Sequence, residues 1–164
     1  MSGSDARALS RSLLDLCRMR KLTIATAESC TGGLVAGALT DIPGSSDVID
    51  RGFVTYSNEA KMEITGVSPV TLDAYGAVSR ETALEMAAGA LARSHAGIAL
   101  SVTGIAGPGG GSADKPVGLV WFGLAVKGRD PIAEQRQFED HGRAFIRRES
   151  VRTALEMVLV ALGA

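Results

Sequence analysis

The sequence has few of the residues that build metal centres and disulfide frameworks. Its 164 residues include two cysteines, Cys17 and Cys30, and two histidines, His95 and His141. Cysteines so few and so placed give no disulfide framework and no Cys/His ligand spacing, which argues against zinc and for a reducing compartment. Charge of one sign is lacking too. A formal net charge of -1 supplies no overall basic field to recruit nucleic acid or an anionic membrane, so a bound nucleotide must rely on a local site. No apolar run is long enough to span a bilayer, and the first residues are small and polar, not an apolar signal core. Repeats, linkers and low-complexity tails are absent. These absences predict a cytoplasmic protein without nucleic-acid or membrane partners.

What remains is ordinary for a globular chain, with 46% apolar and 21% charged residues, and the length fits one domain. Residues 1–5 are expected to be disordered. Leu9, Leu13, Leu16 and Cys17 recur at helical spacing within 6–20. A short β-prone run at 22–27 is followed by a helix over 31–39, which Pro43-Gly44 ends. Residues 53–56 read as a strand, 58–64 as a short helix, and 68–76 as a loop with Pro69 and Gly76 as breakers. Ser79 is a good N-cap for a helix whose apolar face would carry Ala83, Leu84, Ala87, Ala88 and Leu91. Strands are expected at 98–102, at 119–126 (covered on both faces) and at 132–138 as an edge. A last helix runs from about residue 142, with Val151, Leu155, Val158, Leu159 and Leu162 inward. Helices and strands interleave throughout, which predicts a single three-layer α/β/α domain with a mixed, mostly parallel sheet. The short connection at 127–131 makes the last two strands antiparallel.

Four segments carry chemistry. In Ala27-Glu28-Ser29-Cys30-Thr31-Gly32-Gly33, a strand-to-helix turn lifts a hydroxyl out of the sheet and aims free amides at the same spot. Gly32 and Gly33 let a ligand approach the backbone. Ser29 there can attack a carbonyl while the amides of residues 30–33 hold the oxyanion; alternatively Ser29 or Thr31 merely caps the helix. No Ser/His/Asp arrangement is evident. Lysine is the next base to consider, and Lys61 sits on the first turn of a helix in Tyr56-Ser57-Asn58-Glu59-Ala60-Lys61. The positive end of the helix dipole favours its neutral amine, as would burial, and Tyr56 could relay or orient the proton. The alternative is a solvated Lys61 paired with Glu59 or Glu63. The loop from Thr103 and Gly104 through Gly107, Gly109, Gly110 and Gly111 follows a strand and can turn several amides onto an anion, unless it is only a mobile surface loop. It is neither a Walker loop nor a dinucleotide fingerprint. Arg143 and Arg147 precede Val151 in the buried stripe of the last helix by eight and four positions, a phosphate or carboxylate clamp or else ion pairs with Asp140 or Glu139.

Taken in order, these segments, with Lys115-Pro116-Val117-Gly118 and Gly142-Arg143, resemble the CinA C-terminal domain family, over residues 9–162. The resemblance implies nicotinamide-nucleotide amidase activity: hydrolysis of nicotinamide mononucleotide to nicotinate mononucleotide and ammonia, with no metal or other cofactor. It implies Ser29 as nucleophile, Lys61 as base and Tyr56 assisting. Cys30, Thr31, Gly32, Gly33, Thr103, Gly104, Gly107, Gly109, Gly110, Arg143 and Arg147 are the expected substrate-binding residues. Larger family members carry an N-terminal domain associated with pyrophosphatase activity, which is not carried over here. Rival readings are a hydrolase of another phosphorylated amide, a phosphate-independent serine hydrolase and a catalytically silent nucleotide-binding regulatory module. A homodimer or higher homo-oligomer is expected.

Overall fold

The computed structural model describes residues 3–164. In chain order the elements are α1 (Gly3–Arg20), β1 (Ile24–Glu28), α2 (Leu34–Thr40), a 3-10 turn (Ser45–Asp47), β2 (Ile49–Val54), α3 (Asn58–Thr65), α4 (Pro69–Tyr75), α5 (Arg80–Ala92), β3 (Ile98–Gly104), β4 (Leu119–Val126), β5 (Ile132–Gln137) and α6 (Arg143–Ala161). They form one five-stranded sheet in the order β2-β1-β3-β4-β5. β1 pairs in parallel with β2 and β3, whereas β4 runs antiparallel to both β3 and β5. All strands but β4 therefore point the same way, and the sheet is mixed but mostly parallel. α1, α2 and α6 cover one face, and α5, backed by α3 and α4, covers the other.

The two faces differ in side-chain size, because alternate residues of a strand point to opposite sides. Toward α1 and α6 the strands present Ile24, Ile98, Leu100, Val102, Val120, Phe122 and Leu124, which join Leu13, Leu14, Ile146, Leu155 and Val158 in the main core. Toward α5 they present Ala25, Ala27 and Ala99, packed with Met86 and Ala90. The small residues bring α5 close to the sheet. A Cβ at Gly123 would lie 2.3 Å from the Ala83 carbonyl oxygen, and Ser101 Oγ donates to that same oxygen at 2.7 Å.

Four expectations need correction. α1 begins at Gly3, so the expected disorder of residues 1–5 does not extend to residues 3–5; Asp5 in its first turn suits the helix dipole. Residues 1–2 lie outside the described residues. The 68–76 loop contains α4, capped by Ser68, whose hydroxyl accepts from the Val70 amide, with Pro69 opening the helix. The buried face of α5 is Thr82, Ala83, Met86, Ala87, Gly89 and Ala90. Leu84 is half-buried and Ala88 exposed, because the stripe that meets the sheet runs through Ala83, Met86, Ala87 and Ala90. β2 spans Ile49–Val54, earlier than 53–56; as a sheet-edge strand it carries Asp50 and Arg51, which mask its pattern.

Among the described residues no helix is long and apolar enough to cross a membrane. β1 leads to α2 on one face and β2 leads to α3 on the other. This divergence opens a crevice at the carboxyl ends of the parallel strands, where α/β sheets hold ligands.

Candidate active site

Ser29 follows the last residue of β1, and its amide donates to the Val102 carbonyl at 2.9 Å, tying the turn to β3. Gly32 and Gly33 follow with φ of 56° and 106°, a left-handed bend that a side chain would strain. Gly33 is the N-cap of α2 and offers no side-chain acceptor. Glu28 serves in its place: its buried carboxylate accepts from the Val35 amide at 2.8 Å and the Ala36 amide at 3.1 Å. Neither Ser29 nor Thr31 caps the helix. The Gly32 amide is used within the turn, on the Ser29 carbonyl at 2.8 Å. That leaves the amides of Cys30, Thr31 and Gly33 without a protein oxygen among the described hydrogen bonds.

Lys61 enters from the opposite side. Ser57 caps α3, its hydroxyl accepting from the Ala60 amide, and Lys61 on the first turn extends beneath Ser29. Its Nζ lies 3.1 Å from Ser29 Oγ and donates to the Thr55 carbonyl at 2.8 Å. Lys61 is 1% exposed, and neither Glu59 nor Glu63 is among its partners. Burial holds the amine below the ordinary lysine pKa, with the neighbouring Cys30 opposing weakly. The direction is the expected one, and desolvation is its main cause. Burial also pushes the Cys30 thiol up to about 12, so Cys30 stays a protonated wall and is no rival nucleophile.

Ser29 and Lys61 open into a cavity of about 230 Å³ lined also by Cys30, Tyr56, Asn58, Ala77, Val78, Thr103, Gly104, Ala106 and Arg143. A larger groove of about 500 Å³, beside Leu91, His95, Lys127 and Arg129, holds neither Ser29 nor Lys61. Tyr56 is mostly exposed, and its hydroxyl accepts from Arg143 Nη2 at 2.9 Å; Lys61 is not its partner. Arg143 Nη1 donates to the Gly107 carbonyl at 2.8 Å, so one side chain bridges the glycine-rich loop and the β2–α3 turn at the rim. The hydroxyl of Thr103 donates to the Ala77 carbonyl at 2.7 Å, fixing the segment before α5.

The remaining expected residues lie around the cavity and not on it. Arg147 Nε donates to the Cys30 carbonyl at 3.1 Å and Nη2 to that of Thr31 at 3.3 Å. Thr31 is fully buried. From the glycine-rich loop Thr103, Gly104 and Ala106 reach the lining; Gly107, Gly109 and Gly110 do not. Asn58, Ala77, Val78 and Ala106 are lining residues that the sequence reading did not single out. Asn58 was legible, since it lies between Tyr56 and Lys61 in one motif. Among the described residues no group of three or more His, Cys, Asp or Glu is placed to hold a metal ion.

The arrangement also fits what comparison with known proteins reveals. The sequence profile of the CinA C-terminal domain matches residues 6–162. A protein of Escherichia coli strain K12 named nicotinamide-nucleotide amidohydrolase PncC is 47% identical over 156 residues, covering 95% of this chain and 94% of that protein. One of the same name from Enterobacter agglomerans is 59% identical over 115 residues, 70% of each. A putative competence-damage inducible protein of Caldicellulosiruptor bescii is 56% identical over 125 residues, 76% of this chain, but the match spans only 30% of that longer protein. The crystal structure of competence/damage inducible protein CihA from Agrobacterium tumefaciens superposes with a TM-score of 0.94 at 54% identity, covering 98% of this chain and 96% of that one. By profile, identity and fold, the chain belongs to the CinA C-terminal domain family.

Proposed function

We propose that this chain is a nicotinamide-nucleotide amidase that hydrolyses nicotinamide mononucleotide to nicotinate mononucleotide and ammonia, with Ser29 as nucleophile and Lys61 as general base. One observation carries the reading: a buried lysine amine 3.1 Å from a serine hydroxyl at the floor of a cavity. A lysine in that position costs desolvation free energy, and burial favours the neutral amine, the form able to take a proton. The names of the Escherichia coli and Enterobacter agglomerans relatives supply the substrate.

In the proposed reaction Ser29 Oγ attacks the carboxamide carbon as its proton passes to Lys61 Nζ. The amide of Cys30, the turn residue after Ser29 that lines the cavity, receives the oxyanion. As the tetrahedral adduct collapses, the Lys61 ammonium protonates the leaving nitrogen, which departs as ammonia. Water, deprotonated by the same amine, then attacks the acyl-enzyme and releases the carboxylate with Ser29 restored. The pyridinium ring withdraws electrons from the amide and eases the first attack. Arg143 at the rim grips the phosphate, with Tyr56 orienting its guanidinium, and that remote binding holds the amide against Ser29. Arg147 acts by supporting the turn.

Incubating the purified protein with nicotinamide mononucleotide and a chelator tests this. The expected result is equal release of ammonia and nicotinate mononucleotide, independent of the chelator. Saturable binding without ammonia would contradict the proposal and favour a regulatory module.

A further inference from the structure

One buried acid beside the nucleophile has no part in this chemistry. Glu28 is 1% exposed and, among the described residues, its carboxylate meets amides and no cationic side chain. Burying a carboxylate is costly, and here it replaces the side-chain cap that the left-handed Gly33 lacks. An acid on the strand adds a link between segments that the N-cap cannot provide.

Glu28 is bonded covalently to Ser29, while its side chain holds Val35 and Ala36 beyond the turn. Its carbonyl accepts from the Thr55 amide at 2.8 Å, and the Thr55 carbonyl in turn receives Lys61 Nζ at 2.8 Å. The same residue therefore fixes the turn that carries the nucleophile and the backbone that anchors the base. On the other side of the turn Arg147 holds the carbonyls of Cys30 and Thr31. We propose that Glu28, with Arg147 opposite, is a positioning residue that clamps the Ser29 turn and sets the Ser29–Lys61 distance. The inference rests on the Ser29–Lys61 reading above. Because the carboxylate already occupies the amides of α2, substrate phosphate is left to the Arg143 side of the cavity.

The test compares wild type with E28Q, E28D and R147K, each at a temperature where circular dichroism shows it folded. Two quantities are measured: kcat and KM for nicotinamide mononucleotide, and the rate at which a fluorophosphonate probe modifies Ser29. In that labelling Oγ displaces fluoride from phosphorus and the proton goes to Lys61, without any need for the nucleotide. Misplacement of reacting groups by about 1 Å can cost about 100-fold. The expected result is a fall of about 10- to 100-fold in both kcat and labelling rate, with KM little changed. Gln keeps the length and one acceptor, whereas Asp keeps the charge but is about 1.5 Å short, so E28D should be slower than E28Q. R147K should show the same split if neither Glu28 variant folds. Folded variants with wild-type kcat and labelling, a loss confined to KM, or an E28D faster than E28Q would overturn the clamp. If wild type labels but does not hydrolyse the nucleotide, the substrate assignment fails while the labelling rates still decide the clamp. Wild type that never labels at Ser29 would overturn the nucleophile reading and the clamp with it.

Discussion

Burial lowers the pKa of Lys61, the proposed base, and this has a pH signature. The protonated amine cannot accept the Ser29 proton, so kcat/KM should rise as pH rises and level off once the amine has lost its proton. Burial depresses the Lys61 pKa, so the midpoint of that limb should lie below the ordinary lysine value of about 10.4. K61R, whose guanidinium stays protonated, should lose activity by about 1,000-fold or more and show no such limb. A pH–rate profile of the two proteins checks both statements. At this scale the sequence was legible where type and place agreed: Ser29 after a strand, Lys61 on a first helical turn. It was less so for Glu28, which stands in the Ser29 motif without a role in the sequence and whose inward turn is explained by the Gly33 cap without a side chain. It was least so for Arg147, whose spacing predicts an inward side chain but cannot say whether backbone carbonyls or a ligand will meet it.

Among the elements, α3 matters most, because it carries the proposed base and packs against α5 through a glycine. A Cβ at Gly89 would lie 1.7 Å from the Thr65 carbonyl oxygen at the end of α3. Thr65 Oγ1 in turn donates to the Lys61 carbonyl at 2.8 Å. G89A should therefore destabilise the fold by about 3 kcal/mol and, in the folded fraction, lower kcat by moving Lys61. Thermal unfolding and steady-state kinetics read the two effects separately, and an unchanged midpoint would mean that α3 and α5 can part freely. Elements with strong alternation or an apolar stripe were legible, including the β4–β5 hairpin and the edge position of β5. α4 was not, since it has no fully buried residue; its start signal, Ser68-Pro69, was present and outweighed by the breakers. The face of α5 was misjudged because it is built mostly of small residues, Ala83, Ala87, Gly89 and Ala90 beside Met86, which leave periodicity little contrast to read.

At the scale of the molecule the cavity stands where three strand ends and the start of α6 converge, and Arg143 joins them across the rim. If it grips the phosphate, R143A should raise KM by about 10- to 100-fold, the loss of a charged hydrogen bond of about 1.5–3 kcal/mol, with a smaller change in kcat. A pure loss of kcat would place Arg143 in the chemistry instead. The architecture itself was legible from the alternation of elements, because a parallel sheet with helical crossovers follows from that order alone. Convergence of the site was legible only as motifs in sequence; the distances that join Ser29 to Lys61 across the crevice come from the strand order β2-β1-β3.

If Ser29 and Lys61 act as one unit, a double-mutant cycle on ammonia release will show it. S29A and K61M should each lower kcat by about 10³- to 10⁶-fold, and the double variant should fall no further than the worse single one, as residues of one catalytic unit behave. Either single variant retaining most of the wild-type rate, or two losses that simply multiply, would contradict it.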